Sequence, residues 1–273
     1  MFLQEIQRDI RRMRSDRREN EQGVLNKGIT LKEVIWGCKK NKQGKAEGDD
    51  QVITEWLKFG GDRMKFALLK MFRMFWDLEM VPKAWNCRGV ISAIFKDGDK
   101  RDPLNYRGVT LLSVVGKTFT SILNERILRW SENEILEDEQ GGFRKGRGCV
   151  EQIFVLKEML NLRKGKKTYC CFIDVKKAYD RVWRDGLWTR LWRVGVRGKM
   201  WRVLQNLYDN VQSCCLVGQD RTDWFPVDVG VRQGCVLSPV LFNIFINGLC
   251  TAIKDLGLGV KIDEGNKLCL DVC

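Results

Sequence analysis

A lone aspartate at the end of an apolar run is the first residue in this chain whose position could support chemistry. The run is YCCFIDVKKAYDRV, Tyr169 to Val182. An apolar strand over Thr168 to Val175 would deliver Asp174 at its C-terminal end. An ionised carboxylate beside such a strand is costly unless a cation meets it. A hard divalent ion such as Mg2+ is a natural candidate, because it prefers carboxylate and carbonyl oxygen. The plain alternative is that Asp174 caps the helix that follows, since Asp is a favoured N-cap. A second segment weighs against that alternative. GVRQGCVLSPVLFNIFINGL, Gly230 to Leu249, is a Gly-rich basic loop that feeds through Ser238-Pro239 into a helix. Its glycines bring backbone amides close to whatever sits above them, and a helix N-terminus favours an anion. Pro239 suits the first turn and Ser238 suits the cap. An ordinary strand-to-helix loop would look much the same.

The elements that must position these segments can be read from periodicity and punctuation. The first residues form a basic, helical lead-in. Thr30 is an N-cap with Glu33 three residues later, which makes a capping box. Lys39 to Asp50 is a polar, Gly-containing loop. Residues 62–79 place Met64, Ala67, Leu68, Met71, Phe72 and Phe75 at helical spacing, the mark of a core-facing stripe. Pro82 ends that helix. Val90 to Phe95 reads as a strand, with a tight turn at Asp97-Gly98-Asp99. Amphipathic helices are expected over Val114–Trp130, Cys149–Leu162, Arg184–Val194, Lys199–Tyr208 and Leu237–Lys254. Between the first two of these lies a Gly/Arg/Lys loop, Gln140 to Gly148. Ser213–Val217 and Trp224–Val229 suggest a hairpin around Gly218, and Leu258–Ile262 with Lys267–Asp271 a second. Helices mixed with antiparallel strands in this way indicate an α+β fold.

Composition narrows the class of function. Of 273 residues, 48 are Lys or Arg against 35 Asp or Glu, a net charge of +13 that favours a polyanionic partner. No run of 18 apolar residues suggests a transmembrane helix, and the charged start lacks a signal peptide. The expectation is therefore an intracellular protein, in nucleus or cytoplasm, neither secreted nor membrane-bound. The cysteine count of 11 is odd, and the sequence has no CxxC and no histidine. That excludes His-dependent metal or nucleophile chemistry and argues against a zinc site. The cysteines read as small, reduced core residues.

The motifs also carry a resemblance. FIDVKKAYD followed by GVRQGCVLSP resembles the palm signature of reverse transcriptases of non-LTR, LINE-like retrotransposons. IFKDGDKRDPLNYRGVTLLSVVGK, Ile94 to Lys117, is similar to that family's fingers segment, and QGGFRKGRG, Gln140 to Gly148, to its next block. ITLKEVIWGCKKNKQGKAEGDD and VPKAW resemble the usual lead-in, so the likeness runs in order over residues 29–262. It implies a right-hand polymerase architecture: residues 1–28 a basic lead-in, 29–167 the fingers, and 168–273 a palm with an antiparallel sheet packed on helices, truncated before the thumb. It also implies an RNA template, a DNA primer and deoxynucleotides as partners, with no membrane and no identifiable protein partner. The reaction would be attack of the primer 3′-oxygen on the α-phosphate, held in line by two Mg2+ ions, or Mn2+ in their place.

By the same resemblance, Asp174 and the backbone carbonyl of Val175 are metal ligands, and Tyr179 is the aromatic gate against a ribose 2′-hydroxyl. Gln233 and Gly234 line the nucleotide pocket. Lys96 and Arg107 hold the triphosphate, a task suited to guanidinium geometry. Arg144, Lys145 and Arg147 lie near template phosphates. Asp180 is expected to be structural, pairing with an arginine. One departure stands out. The family's aromatic-Ala-Asp-Asp turn is not found in GVKIDEGNKLCLDVC, Gly259 to Cys273, where Asp271 is the sole candidate remnant. The expectation is a catalytically impaired reverse transcriptase fragment; the alternatives are a non-catalytic RNA- or DNA-binding remnant, or a decayed reading frame.

Overall fold

Thr30 starts the first well-packed helix as its sequence demands. Its side chain accepts a hydrogen bond from the Glu33 amide while the Glu33 carboxylate accepts one from the Thr30 amide, so two amides that the helix cannot satisfy are bonded reciprocally. The computed structural model describes residues 2–15, 23–86, 88–218, 220–256, 260–261 and 267–268. In chain order the main helices are α1 (Phe2–Ser15), α2 (Leu31–Lys40), α3 (Thr54–Phe59), α4 (Gly61–Leu78), α5 (Lys83–Asn86), α6 (Val114–Glu134), α7 (Cys149–Leu162), α8 (Arg184–Arg193), α9 (Gly198–Asn206) and α10 (Ser238–Asp255). The strands are β1 (Arg88–Phe95), β2 (Tyr106–Leu111), β3 (Gln212–Val217), β4 (Asp220–Arg221), β5 (Phe225–Pro226), β6 (Val260–Lys261) and β7 (Lys267–Leu268). The architecture is α+β, as the sequence implies.

The larger sheet runs β2-β1-β3-β4, with β5 also paired to β3. It is mixed rather than purely antiparallel. β1 and β2 form an antiparallel pair with Phe95 opposite Tyr106 and Ile94 opposite Arg107, but β1 and β3 run parallel, Val90 opposite Cys214. A parallel pair needs a long crossover, and here it is all the chain from α6 to α9. The expected hairpin around Gly218 is present as β3 against β4 and β5, and Gly218 adopts φ +64°, a turn conformation glycine takes without strain. β6 and β7 pair with each other, so the second expected hairpin exists in part, and its remaining residues lie outside those described.

α6 is the axis of the core. Phe119, Ile122, Leu123 and Ile127 are at most 1% exposed, and Thr118, Ser121 and Asn124 are buried too, so this helix is covered around most of its circumference rather than amphipathic. The α4 stripe is rotated from its expected position: Leu68, Leu69, Phe72 and Trp76 are buried, whereas Met64 is exposed. Phe72 packs edge-on to Phe119 and Trp85, with ring centroids 5.3 and 5.9 Å apart. The same hydrophobic core continues through Leu187 and Leu191 of α8, Met200, Trp201 and Leu204 of α9, and Leu241 and Ile244 of α10. Arg126 reinforces it at the surface by gripping Glu33 through two nitrogens, at 2.6 and 2.9 Å.

The expected strand over Thr168–Val175 does not form. The segment pairs with no described strand, and Tyr169, Phe172 and Ile173 are 91%, 82% and 79% exposed. Apolar strand formers need a neighbouring edge to bond their backbone and a layer to cover their side chains. No described strand offers that edge here. The cysteines divide accordingly: Cys38, Cys214 and Cys250 are buried thiols, but Cys149, Cys170 and Cys171 are exposed.

Candidate functional site

Two glycines and two arginines fix the loop between β5 and α10. Gly230 adopts φ +82°, and a Cβ there would lie 2.8 Å from the carbonyl oxygens of Tyr179 and Asp180. That closeness lets the Gly230 amide donate to Val182 and the Val231 amide to Tyr179, at 2.9 and 2.8 Å. The buried guanidinium of Arg184 donates to the carbonyls of Gly230, Tyr208 and Val229 and lies over the Tyr208 ring. Arg232 also faces that ring and donates to the carbonyls of Trp85 and Leu207. Burial pushes the Tyr208 hydroxyl far above the usual tyrosine range. It is held neutral between two cations.

Further along, Gly234 adopts φ +107° against β2, and the Thr110 amide donates to the Gln233 carbonyl at 2.8 Å. Thr110 lies on an outer strand of the sheet, so the loop covers an edge that would otherwise be open. Ser238 is the first residue of α10 rather than its cap: its hydroxyl turns back to donate to the Arg232 carbonyl at 2.6 Å.

Gln233 is the hub of the site. Its Oε1 accepts from Arg107 Nε at 3.2 Å, and its Nε2 donates to Asp180 Oδ1 at 3.1 Å. Arg107 is exposed, and its two terminal nitrogens have no partner among the described residues. Lys96 follows β1, and its amide extends the ladder by donating to Asn105 at 2.9 Å. Strand alternation puts Lys96 on the face of Ile94, which is the face of its cross-strand neighbour Arg107. The two expected phosphate-holding cations therefore share one side of the hairpin.

Tyr179 stands below them. Its ring packs between Phe143 and Phe242, at 5.8 and 5.3 Å between centroids. Its hydroxyl is buried with no hydrogen-bond partner among the described residues. Burial pushes its pKa up to about 12, against a smaller opposing pull from the Arg107 cation. Phe143 is a site residue that spacing along the sequence does not reveal. It stands in the left-handed region at φ +57°, a conformation costly for a bulky side chain, which turns its ring onto Tyr179.

Other expected residues fall elsewhere. Asp174 is exposed on the unpaired segment and makes no hydrogen bond or ion pair to a described residue; it is Tyr179 and Asp180 that touch the loop. Val175 is likewise exposed, and Asp271 lies outside the described residues. Arg144, expected near template phosphates, is turned inward: its side chain is 3% exposed and donates to the Glu132 carboxylate and to the carbonyls of Glu132, Glu137 and Gln140. Arg147 bonds the Asp138 carboxylate and carbonyl, which leaves Lys145 as the exposed cation of this loop.

Among the described residues no three Asp, Glu or Cys side chains are grouped to hold a metal ion.

Comparison with known proteins gives this geometry a context. The family described as reverse transcriptase (RNA-dependent DNA polymerase) matches residues 96–263, which take in the Lys96–Arg107 hairpin, Tyr179 and the Gln233 loop. The chain is 29% identical over 223 residues to the probable RNA-directed DNA polymerase from transposon BS of Drosophila melanogaster, covering 80% of this chain and 24% of that protein. It is 27% identical over 220 residues to the RNA-directed DNA polymerase from mobile element jockey of Drosophila funebris, covering 80% and 24%. A retrovirus-related Pol polyprotein from the type-1 retrotransposable element R2 of Nasonia vitripennis shares 28% over 228 residues, covering 82% and 21%. The chain spans about a quarter of the length of the curated relatives it matches.

Proposed function

Since this chain belongs to the reverse transcriptase (RNA-dependent DNA polymerase) family, we propose that it forms the nucleotide-facing part of a non-LTR retrotransposon's RNA-directed DNA polymerase. One observation carries the reading: Arg107, Gln233 and Asp180 are joined by hydrogen bonds directly beside Tyr179. Guanidinium and ammonium groups on one face of the β1–β2 hairpin suit a triphosphate, and the neighbouring aromatic face suits a sugar and base. In this reading Lys96 and Arg107 receive the phosphates, Gln233 and Gly234 line the floor, and Tyr179 stands where a 2′-hydroxyl would clash. Residues 29–167 correspond to fingers and 168–273 to palm, with one mixed sheet crossing between them. An RNA template and a DNA primer are the partners, and the nucleus or cytoplasm is the site of action.

When bound, divalent ions supply charge neutralisation of the triphosphate and activation of the attacking oxygen. In this reading the chain is catalytically impaired, which the lack of the family's aromatic-Ala-Asp-Asp turn in Gly259 to Cys273 supports. That same observation favours the second reading, a non-catalytic nucleic-acid-binding domain that uses the net charge of +13.

Primer extension on an RNA template with Mg2+ or Mn2+ separates the two. Synthesis abolished by Asp174→Asn supports the polymerase reading, and synthesis that survives it removes Asp174 from the reaction. RNA binding without synthesis, weakening steeply with salt, supports the second. A chain that binds neither nucleic acid nor deoxynucleotide defeats both.

A further inference from the structure

We propose that Asp180 is a positioning residue for the nucleotide site, fixing which way the Gln233 amide faces and thereby keeping the Arg107 guanidinium free for phosphate. The inference rests on the nucleotide-binding reading above. The sequence alone assigns Asp180 nothing more than a structural pairing.

An amide side chain can turn over and exchange its oxygen and nitrogen at almost no steric cost. At Gln233 only one orientation works. Arg107 can only donate, so the oxygen must face it, at 3.2 Å. The Asp180 carboxylate accepts, so the nitrogen must face it, at 3.1 Å. The backbone leaves little alternative: the Gln233 carbonyl is held by Thr110, and the carbonyls of Tyr179 and Asp180 crowd Gly230. Asp180 and Gln233 are therefore held in register by main-chain contacts on both sides of the amide.

The neutral spacer also matters electrostatically. With Gln233 between them, Arg107 and Asp180 make no direct ion pair. A direct pair would engage the terminal nitrogens that a triphosphate would use, and would place a competing carboxylate beside it. Asp180 thus orients the site through Gln233 without touching the nucleotide.

The test uses the full chain, and binding of an N-methylanthraniloyl-labelled deoxynucleotide followed by fluorescence. Asp180→Ala is expected to weaken binding about three- to tenfold, the loss of one partly exposed hydrogen bond to a charged group. Asp180→Asn, whose side-chain oxygen can still accept from Gln233 but which carries no charge, is expected to lose less than Asp180→Ala. In a double-mutant cycle, Asp180→Ala is expected to add nothing once Gln233 is replaced by Ala. Additive losses, or Asp180→Asn as damaging as Asp180→Ala, would overturn the proposal. A wild-type chain that takes up no deoxynucleotide would instead defeat the nucleotide-site reading. The relay is then read from the side-chain amide protons of Gln233 by NMR. The proton that faces Asp180 is expected to be shifted from its free-glutamine position in the wild type and in Asp180→Asn, and to move back towards that position in Asp180→Ala. An unchanged Asp180→Ala spectrum sinks the relay by itself.

Discussion

Gly234 lies so close to Thr110 that a methyl group added to it would sit 2.7 Å from the Thr110 carbonyl oxygen. The conformation, φ +107°, is also one that side-chain-bearing residues rarely adopt. Gly234→Ala is therefore expected to cost about 1–3 kcal/mol and to shift the loop from β2. Gly146→Ala provides the comparison, because Gly146 has a positive φ with nothing within 4 Å. It should cost about 1 kcal/mol or less. Denaturant midpoints of the two variants check the difference, and equal midpoints would mean that the Thr110 contact carries no weight.

Arg184 holds the other end of the same loop. Arg184→Met leaves the carbonyls of Gly230, Tyr208 and Val229 without their donor. The expected loss is about 2–4 kcal/mol, since buried acceptors without partners are costly. Arg184→Lys should recover only part of it, because an ammonium cannot reproduce the planar fork. Thermal melting of both variants gives the ranking, with Lys predicted between wild type and Met.

Tyr179 gives a pH signature. An unfolded tyrosine ionises near pH 10, whereas burial holds the folded hydroxyl at about 12. The folded state therefore keeps the proton more firmly. Its contribution to stability is complete below about pH 10 and is lost as pH rises towards 12. Tyr179→Phe removes this dependence and also the buried hydroxyl that lacks a partner. The variant is expected to match or slightly exceed wild-type stability at neutral pH, by up to about 1 kcal/mol, and to gain on the wild type above pH 10. Parallel denaturation curves at neutral and alkaline pH test this. A constant difference between the two proteins would contradict it.

The apolar surface of α7 and the segment after it predicts self-association. Val150, Ile153, Phe154 and Leu162 are exposed on the helix, and Tyr169, Phe172 and Ile173 follow it. Together they exceed the scattered exposure normal for a monomer. Light scattering of the full chain is expected to show concentration-dependent assembly, reduced when Phe154 and Phe172 are both replaced by Ser. A monodisperse wild-type monomer at high concentration would count against it.

Much of the fold is legible because its signals are local. The capping box at Thr30–Glu33, the Gly98 turn and the bounds of α7 depend on neighbouring residues. The Gln233 loop was legible as motif, since its glycines and basic residues stand close in sequence. What escaped depends on distant partners. The strand expected over 168–175 has the right composition but no described edge beside it. Arg144 reads as a surface cation until Glu132 and three carbonyls are seen around it. Asp180 reads as structural because nothing in its own neighbourhood indicates that Gln233 will meet it. No spacing rule leads from Phe143 to Tyr179, since a strained backbone angle brings the rings together.

The parallel pairing of β1 with β3 has a consequence for biosynthesis. The two strands are more than a hundred residues apart in the chain. At about 5–20 residues per second, a ribosome needs roughly 6–25 s to make that span. Throughout that interval the β1–β2 hairpin has both edges open and no sheet to join, which exposes it to chaperones and to other nascent chains. Formation of the site around Gln233 waits longer still, because the loop that covers the opposite edge is made after β3.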